Sequence, residues 1–308
     1  MNLFRRLLWS LGNRNVLFIA SIVLGIAVGD WAQYTEAWTL PALAVALTVS
    51  MTQVESSAFR PWHRLVRPTW VSVLLSFVLQ GAAILIPARL LLPEPDLWIG
   101  FVIAAATPPG AAVIPFTGIT GGDMAFSLLG TVGGYLASLV VTPAMMFLLL
   151  GESAVDPLRL ATILVQLVLV PLVASRLVLA SPLKEPIARW RGKIVNWAFT
   201  LVLFTIIGLN RDVFFSEPWL VFLIALVNVI RSFGLAFVID QVLKRWHVER
   251  PARMSYLLMA TLKNGGFASA TALALFGERA AVPNGVGAAI AVPYLLWLGI
   301  RWGREGEG

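Results

Sequence analysis

The stretch AATPPGAAVIPFTG at Ala105–Gly118 places Pro-Pro-Gly, residues 108–110, inside an apolar run. Proline lacks a backbone N–H and clashes with the preceding helical turn, so a regular helix cannot continue through this stretch. The stretch ATLKNGGFASATA at Ala260–Ala272 has Asn-Gly-Gly, residues 264–266, at the middle of a second apolar run. Asn-Gly-Gly is also a helix-breaking sequence. The chain therefore contains two interrupted apolar helices, far apart in sequence.

The composition of the whole chain is that of a membrane protein. Apolar residues are 58% of the 308 residues and charged residues are 13%, against roughly 45–50% and 25% in soluble domains. The mean hydropathy is +0.83. A spanning helix takes about 20 residues, which leaves room for about ten spans. We therefore predict an all-α membrane protein with ten transmembrane helices.

Charge clusters and Pro/Gly breaks divide the chain into these spans. The predicted spans are Val16–Trp31, Thr39–Met51, Thr69–Leu91, Leu97–Gly118, Met124–Leu149, Leu158–Leu179, Val195–Leu209, Trp219–Val242, Met254–Phe276 and Val282–Trp302. Residues 1–14 precede them, and within this segment Asn2–Leu11 combines two arginines with Leu, Phe and Trp. That combination predicts an interfacial helix lying on the membrane.

The ten spans form two groups of five, residues 15–150 and 157–303, within a single integral membrane domain. A unit with an odd number of spans, repeated in tandem, inserts the second time in the opposite orientation. Both halves are predicted to have a short second span and an interrupted fourth span. We therefore predict two five-helix inverted repeats whose discontinuous fourth and ninth helices cross at mid-membrane. Matching breaks of this kind mark the binding site of a secondary transporter, although purely structural kinks are the alternative.

The basic residues predict the orientation. Seventeen of the 23 Lys and Arg residues fall on the side of the chain termini, four fall on the other side, and Arg231 and Lys263 lie within spans. By the positive-inside rule both termini are cytoplasmic in a multi-pass protein of the cell (inner) membrane. The same bias explains the net charge of +7, so the predicted partner is the lipid bilayer rather than nucleic acid. The oligomeric state does not follow from the sequence.

Several functional classes are disfavoured by the residues the chain lacks. It has no cysteine and only two histidines, neither of which lies in a predicted span, and it has no HExxH motif. These observations predict no enzymatic activity, no metal site and no cofactor. A channel, or a membrane receptor or scaffold without transport, is the alternative class, but long soluble loops for partners are missing.

The candidate site lies at the two breaks, where helix ends present unpaired N–H and C=O groups. Lys263 lies near mid-span and cannot reach either interface, so it must face the interior or a cavity. It serves either as a built-in cation or proton carrier of the site, or as a structural lysine that bonds helix-end carbonyls. Arg231, also mid-span, either holds a substrate or pairs with Asp240. The predicted substrate-binding residues are Lys263, Asn264, Gly265, Thr107, Pro109, Gly110, Arg231 and Asn228.

The sequence resembles the bile acid:sodium symporter family. The resemblance is sharpest at Pro109–Pro143, PGAAVIPFTGITGGDMAFSLLGTVGGYLASLVVTP, and continues at LKNGGFASA, where Asn264 falls on a family asparagine. Gly122-Asp123 falls on the family's Gly-Asn pair, although Asp123 at the start of a span is also a good helix N-cap. The resemblance implies the ten-span fold, transport of an organic anion and sodium coupling.

The departures from the family bear on the sodium coupling. The ion-site positions implied by the resemblance are Gln80, Ser127, Thr131, Val113, Ile114, Met259 and Lys263. In the family, the last four of these carry side-chain oxygens for two sodium ions, and an ammonium would repel such an ion. We therefore predict a secondary active or facilitative transporter of a small organic anion that works by alternating access. Transport is predicted to be sodium-independent, with Lys263 in place of bound sodium and proton coupling left open; a sodium-coupled symporter is the alternative.

Overall fold

The computed structural model describes residues 13–55, 63–151 and 155–303, and the described chain is helical with short connections. The helices are α1 (Arg14–Ala27), α2 (Thr39–Met51), α3 (His63–Leu91), α4 (Pro95–Ala106), α5 (Val113–Thr120), α6 (Met124–Leu150), α7 (Pro157–Leu179), α8 (Lys184–Leu209), α9 (Arg211–Ser216), α10 (Pro218–Arg245), α11 (Arg250–Thr261), α12 (Gly265–Phe276) and α13 (Glu278–Trp302). Short 3₁₀ turns join α1 to α2.

Six helices are long and apolar enough to cross a membrane: α3, α6, α7, α8, α10 and α13. Four shorter apolar helices, α1, α2, α4 and α12, accompany them. The protein is therefore a multi-pass membrane protein, while the count of ten spans stays a prediction. The predicted interfacial segment Asn2–Leu11 lies outside the described residues.

The predicted boundaries hold at some helices and fail at others. Thr39–Met51 coincides with α2, but α8 begins at Lys184, eleven residues before the predicted Val195. The helix is longer than the predicted seventh span because the basic residues at the start of α8 are helical although they are not apolar. Asp123 caps α6 as predicted, since its carboxylate accepts a hydrogen bond from the Phe126 N–H at 2.9 Å.

The helices pack as two units. In the first, α8 packs along α1 and α2, and α7 packs on α2. Gly29 and Gly208 allow the backbones of this unit to approach closely, because a Cβ on Gly208 would lie 3.2 Å from the Gly29 Cα. In the second unit, α3 packs on α6, α13 packs on α4, α10 and α12, and α11 packs on α5, α6 and α10. Small residues at such contacts are typical of helices that associate within a membrane.

The two units meet across an apolar interface. Gly266 of α12 lies against Phe199 of α8, and Gly285 of α13 lies against Ile206 of α8. One buried cluster contains residues of both units; among them are Leu43, Tyr135, Leu164, Val202 and Phe267. Contacts of this kind carry no directional bonds that would fix one relative position of the two surfaces.

Candidate functional site

The first break lies between α4 and α5. α4 ends at Ala106, and Thr107 is extended with φ −82° and ψ 153°. Pro108 and Pro109 follow, and neither has an N–H that could continue the helical ladder. All of these residues are buried. The carbonyls at the end of α4 therefore need donors from elsewhere in the protein.

The second break lies between α11 and α12. α11 ends at Thr261, Leu262 is extended with φ −104° and ψ 101°, and α12 begins at Gly265. The unwound residues are therefore Leu262, Lys263 and Asn264. The helix-breaking sequence at residues 264–266 predicts a non-helical Gly265, but Gly265 is the first residue of α12, because Asn264 supplies the N-cap.

The two breaks pair with each other through their backbones. Pro109 and Lys263 form an isolated antiparallel bridge. The Gly110 N–H donates to the Leu262 carbonyl at 2.7 Å, and the Asn264 N–H donates to the Pro108 carbonyl at 3.1 Å. Buried backbone groups that leave a helix must find partners. The unwound segments therefore supply hydrogen-bond partners for each other's backbone groups. The two broken helices are in contact at this point.

The Lys263 side chain caps the first break. Its ammonium donates to the Ala105 carbonyl at 2.8 Å and to the Thr107 carbonyl at 2.6 Å. It also lies 4.6 Å from the centroid of the Phe77 ring. Carbonyls at a helix C-terminus carry partial negative charge and favour a cation. These contacts are the ones expected of a structural lysine that bonds helix-end carbonyls. Lys263 also lines the cavity described below.

Asn264 caps the second break. Its side-chain oxygen accepts from the Phe267 N–H at 3.0 Å, and its amide nitrogen donates to the Tyr135 hydroxyl at 2.6 Å. Asn264 is 3% exposed and Tyr135 is 4% exposed. The side chain therefore holds the start of α12 and joins it to α6.

A cavity of about 620 Å³ lies beside the breaks, between the two units. Its polar or glycine lining residues are Asn13, Ser50, Gln53, Gly110, Arg191, Gly192, Asn196, Lys263, Asn264, Gly265, Gly266 and Ser269. Apolar residues of α1, α5, α8 and α13, and the two alanines before α5, complete the lining. Four of the predicted substrate-binding residues, Gly110, Lys263, Asn264 and Gly265, line this cavity. Whether they bind a substrate stays a prediction.

The other four predicted residues are not part of the lining. Thr107 and Pro109 lie in the first break, and the Thr107 hydroxyl donates to the Ala104 carbonyl at 2.9 Å. The Arg231 Nε donates to the Asn228 side chain at 2.8 Å, and the Asn228 amide reaches the Pro283 carbonyl at 3.3 Å. Arg231 and Asn228 therefore lie where α10 packs against α13, and neither lines the cavity.

Asp240 does not pair with Arg231. Its carboxylate lies 2.7 Å from the Lys244 ammonium and 3.2 Å from the Arg253 Nε. Nine residues along one helix is too far for a direct pair, whereas Lys244 is one turn away and Arg253 lies on the adjacent helix α11. The Arg231–Asp240 alternative is therefore wrong.

The ion-site positions implied by the resemblance form no ring of free oxygens. The Ser127 hydroxyl donates to the Ser255 hydroxyl at 2.9 Å, and the Thr131 hydroxyl donates to the Ser127 carbonyl at 2.7 Å. Val113 and Met259 are fully buried in an apolar cluster, and Ile114 is 8% exposed in another. Gln80 is fully buried, and neither end of its amide has a partner among the described residues.

The cavity residues outside the breaks were not predicted from the sequence. They include Ser50 and Gln53 at the end of α2, Arg191 and Asn196 on α8, and Ser269 on α12. Arg191 is one of the 17 basic residues on the predicted cytoplasmic side, and no further role for it follows from the sequence. The sequence does show that one helix face contains several of the lining residues. Helical spacing relates Arg191, Val195, Phe199, Val202 and Ile206, so they would share one face. Nothing in the sequence indicated that this face borders a cavity.

Two interrupted helices that meet beside a cavity, in an apolar helical protein, define a membrane transporter by fold and site. The comparison with known families supports this class: the model of the SBF-like CPA transporter family matches residues 16–299. The chain belongs to this family, which is of the bile acid:sodium symporter type, and the predicted resemblance is thereby confirmed. A search of curated proteins found no match.

Proposed function

We propose that this transporter carries a small organic anion by alternating access and does so without sodium. The observation that carries the proposal is the position of the Lys263 ammonium. It lies 2.8 Å and 2.6 Å from the Ala105 and Thr107 carbonyls, where the resembling family has a sodium-binding glutamine. A tethered cation there supplies the positive charge that the broken helix needs, and it excludes a second cation by repulsion.

The neighbouring positions support the same conclusion. Met259, Val113 and Ile114 offer no oxygen, while Ser127 and Thr131 use their hydroxyls within the protein. Na⁺ is a hard cation that needs several oxygen ligands, as other hard cations do. The described side chains at these positions favour packing rather than ion coordination.

Alternating access is supported by the two packing units. The cavity lies between them, and the hydrogen bonds given above for Lys263, Asn264 and Arg231 stay within the second unit. One unit can therefore shift against the other without breaking the paired breaks. In this proposal the chain has ten spans in two inverted five-helix repeats, with both termini cytoplasmic in the inner membrane and the breaks near mid-membrane.

The proposal is tested by flux into proteoliposomes that contain the purified protein. The assay compares uptake of an organic anion in sodium, potassium and choline buffers at several pH values. We expect equal rates in the three buffers. A requirement for sodium would overturn the proposal and restore the sodium-coupled alternative.

The measurements at several pH values distinguish the two transport modes that Lys263 allows, facilitated transport and proton-coupled transport. If the ammonium stays charged, the protein is a facilitator, and accumulation follows the substrate gradient alone. If Lys263 releases a proton in each cycle, an inward proton gradient drives accumulation. In that case Lys263→Gln abolishes the pH-driven accumulation but preserves exchange of substrate across the membrane.

A further inference from the structure

A stripe of polar side chains on α3 faces the interior of the second unit. Ser72, Ser76 and Gln80 recur every four residues, so they share one face of the helix. Each is fully buried, at 0% exposure. The residues Val73–Leu79 form a π-helical turn, a distortion that is frequent at functional sites. None of the residues that line the described cavity belongs to α3, so the stripe is separate from that cavity.

The contacts of the stripe place it beside the first break. A Cβ added to Gly134 of α6 would lie 2.6 Å from the Ser72 Oγ and 2.8 Å from the Pro109 ring. One end of the stripe therefore touches the break itself. Phe77, inside the π-helical turn, has its ring centroid 4.6 Å from the Lys263 ammonium.

The other end of the stripe lies beside the end of α4. A Cβ added to Gly81 would lie 3.8 Å from the Ala105 Cβ. The Ala105 carbonyl accepts a hydrogen bond from the Lys263 ammonium at 2.8 Å. Because Gln80 directly precedes Gly81, the stripe passes along the place that this ammonium occupies.

The polar atoms of the stripe have no partners among the residues that the structure describes. This holds for the Ser76 hydroxyl and for both the nitrogen and the oxygen of the Gln80 amide. The Ser72 hydroxyl is also unpaired, but it packs directly on α6. Hydroxyls in spans usually donate to a carbonyl of their own helix, as those of Thr117 and Thr120 do. Unpaired buried polar groups cost free energy, and proteins normally satisfy them with ordered water, which points to Ser76 and Gln80 as its binding groups.

The Lys263 ammonium also has hydrogen-bonding capacity left. An ammonium has three N–H donors, and two of them bond the Ala105 and Thr107 carbonyls. In the described part of the chain the third has no oxygen acceptor, and the Phe77 ring lies beside it. A water molecule held by Gln80 can accept from this third donor.

The helices around the ammonium offer it no counter-charge among the described residues. The titratable side chains near it are Tyr135 of α6 and Tyr294 of α13, and tyrosine is neutral at pH 7. Asp240, the acidic residue of α10, pairs with Lys244 and Arg253 instead. The ammonium therefore depends on dipoles for its stabilisation.

Two other cations add to the positive charge of this region. Arg231 lies in Ile230–Gly234, a second π-helical turn, which packs on α11. Arg191 of α8 lines the same cavity as Lys263. Like charges repel, so a charged Lys263 needs solvation beyond the two carbonyls that it bonds.

We propose that Ser76 and Gln80 bind ordered water beside Lys263, and that this water keeps the lysine charged throughout the transport cycle. Water donates and accepts, so it can bond the Gln80 amide, the Ser76 hydroxyl and the third N–H of the ammonium. A neutral amine would bond the two carbonyls more weakly and would have no donor left for the water. This inference rests on the proposed function and selects its facilitated mode over the proton-coupled mode.

The water site is tested by radiolytic footprinting of the unmutated protein, in which radicals formed from bound water oxidise the adjacent side chains. Phe77 should be oxidised much faster than Phe101, which is equally buried at 2% exposure but lies in an apolar cluster. Gln80→Leu removes the amide that holds the water, so it should slow the oxidation of Phe77 to the rate of Phe101. Phe199, which lines the cavity, is the reference and should be oxidised at the same rate in both proteins.

Two results would overturn the water site. One is slow oxidation of Phe77 in the unmutated protein, at the rate of Phe101. The other is fast oxidation that Gln80→Leu does not change, because the water would then belong to the cavity. If Gln80→Leu does not fold, Ser76→Ala, which removes a single hydroxyl, gives the same comparison.

The charge of Lys263 is tested by nitrogen NMR on the protein in lipid with ¹⁵N-labelled lysine. The chain has lysines at residues 184, 193, 244 and 263, and the signal lost in Lys263→Gln identifies Lys263. This signal should stay that of an ammonium from pH 5 to pH 9, whereas in Gln80→Leu the signal of a neutral amine should appear within this range. A neutral amine in the unmutated protein within this range would overturn the proposal. An ammonium that persists throughout in Gln80→Leu would overturn the role of the water.

Flux measurements separate this inference from the proposed function. In proteoliposomes that contain a pH-sensitive dye, uptake of an organic anion should move no protons. Proton movement coupled to uptake would overturn the permanently charged lysine but would leave anion transport standing. An absence of uptake in every buffer would overturn the proposed function, while the water site would still be decided by footprinting and the lysine charge by NMR.

Discussion

The two helix breaks meet at one point but are built differently. The first has prolines at residues 108 and 109, so its backbone cannot be helical, and the carbonyls of Ala105 and Thr107 are capped from outside by Lys263. The second has no proline, and Asn264 caps its own helix α12 through the Phe267 N–H. The first break depends on the second for its cap, whereas the second carries its own.

The surroundings of the two breaks differ as well. A Cβ on Gly110 would lie 2.7 Å from the Lys263 carbonyl oxygen, whereas a Cβ on Gly265 would meet nothing within 4 Å. The first break is closed against the opposite backbone, and the second has open space beside it. This comparison indicates that the backbone at Gly265 has room for a side chain, whereas the backbone at Gly110 does not.

The largest expected effect is that of removing the external cap. Lys263→Met leaves two buried carbonyls without donors, each at a cost of roughly 1–3 kcal/mol, partly offset because the ammonium is no longer buried. We expect a loss of about 2–4 kcal/mol in the free energy of unfolding. Thermal unfolding in detergent measures it.

Arg189→Met is the control for this change, because it removes an exposed basic residue and should leave the melting temperature within 1–2 °C. If Lys263→Met were as stable as the unmutated protein, Lys263 would not be the cap of the first break. The two breaks would then no longer differ in whether their cap comes from the other break or from their own residues.

The second prediction compares the two glycines. Gly110→Ala forces apart the backbone segments that form the bridge, and overpacking of this kind costs roughly 1–3 kcal/mol. Gly265→Ala meets open space at a helical position, so we expect stability to be unchanged or raised by up to about 1 kcal/mol. The two melting temperatures, measured side by side, check the difference. Equal destabilisation by both changes would contradict the asymmetry.

The third prediction concerns the second break. Asn264→Ala removes the cap of α12, for which the usual cost is about 0.5–2 kcal/mol, and also removes the bond to the Tyr135 hydroxyl. Asn264→Ser keeps a capping hydroxyl and should recover part of the loss. Tyr135→Phe removes only the bond between the two side chains. If Asn264→Ser were no more stable than Asn264→Ala, capping would not be the main role of the side chain.

The smallest effect is expected at the far ends of the broken helices. Arg279, in the first turn of α13, binds Glu94, which precedes α4, at 2.7 Å and Glu217, which precedes α10, at 2.6 Å. The Arg279 guanidinium, mainly through this hydrogen bond, holds the pKa of Glu217 below its usual value. Both carboxylates are partly exposed, so the effect is screened by solvent.

The direction of the pH dependence follows from this shift. Because the pKa of Glu217 is lower in the folded protein than in the unfolded chain, its stabilising contribution is complete above the unfolded value. It is lost as the pH falls through the folded value. Melting temperatures between pH 7 and pH 3 should therefore fall less steeply for Arg279→Gln than for the unmutated protein. Parallel curves would show that this ion-pair group contributes nothing.

Much of the fold could be predicted from the sequence. The ends of α2 and α6 and both breaks follow from local composition and from the backbone chemistry of proline and glycine. The start of α8 was missed because hydropathy marks where a helix is apolar, not where it begins. The partner of Arg231 was also not predicted. A charge in the middle of a span predicts burial, but it does not show which residue the charge contacts.

The sequence by itself determined that this chain is a helical membrane protein of a transporter family with two interrupted helices. Those properties depend on residues close together in the chain, such as two prolines without N–H groups. Only the tertiary structure decided that Lys263 caps carbonyls 156 and 158 residues away. It also decided that Arg191 borders the cavity, whereas the equally basic Arg189 does not. Such contacts depend on which helix faces pack together, and that choice is set by the burial of the whole chain rather than by any short stretch of it.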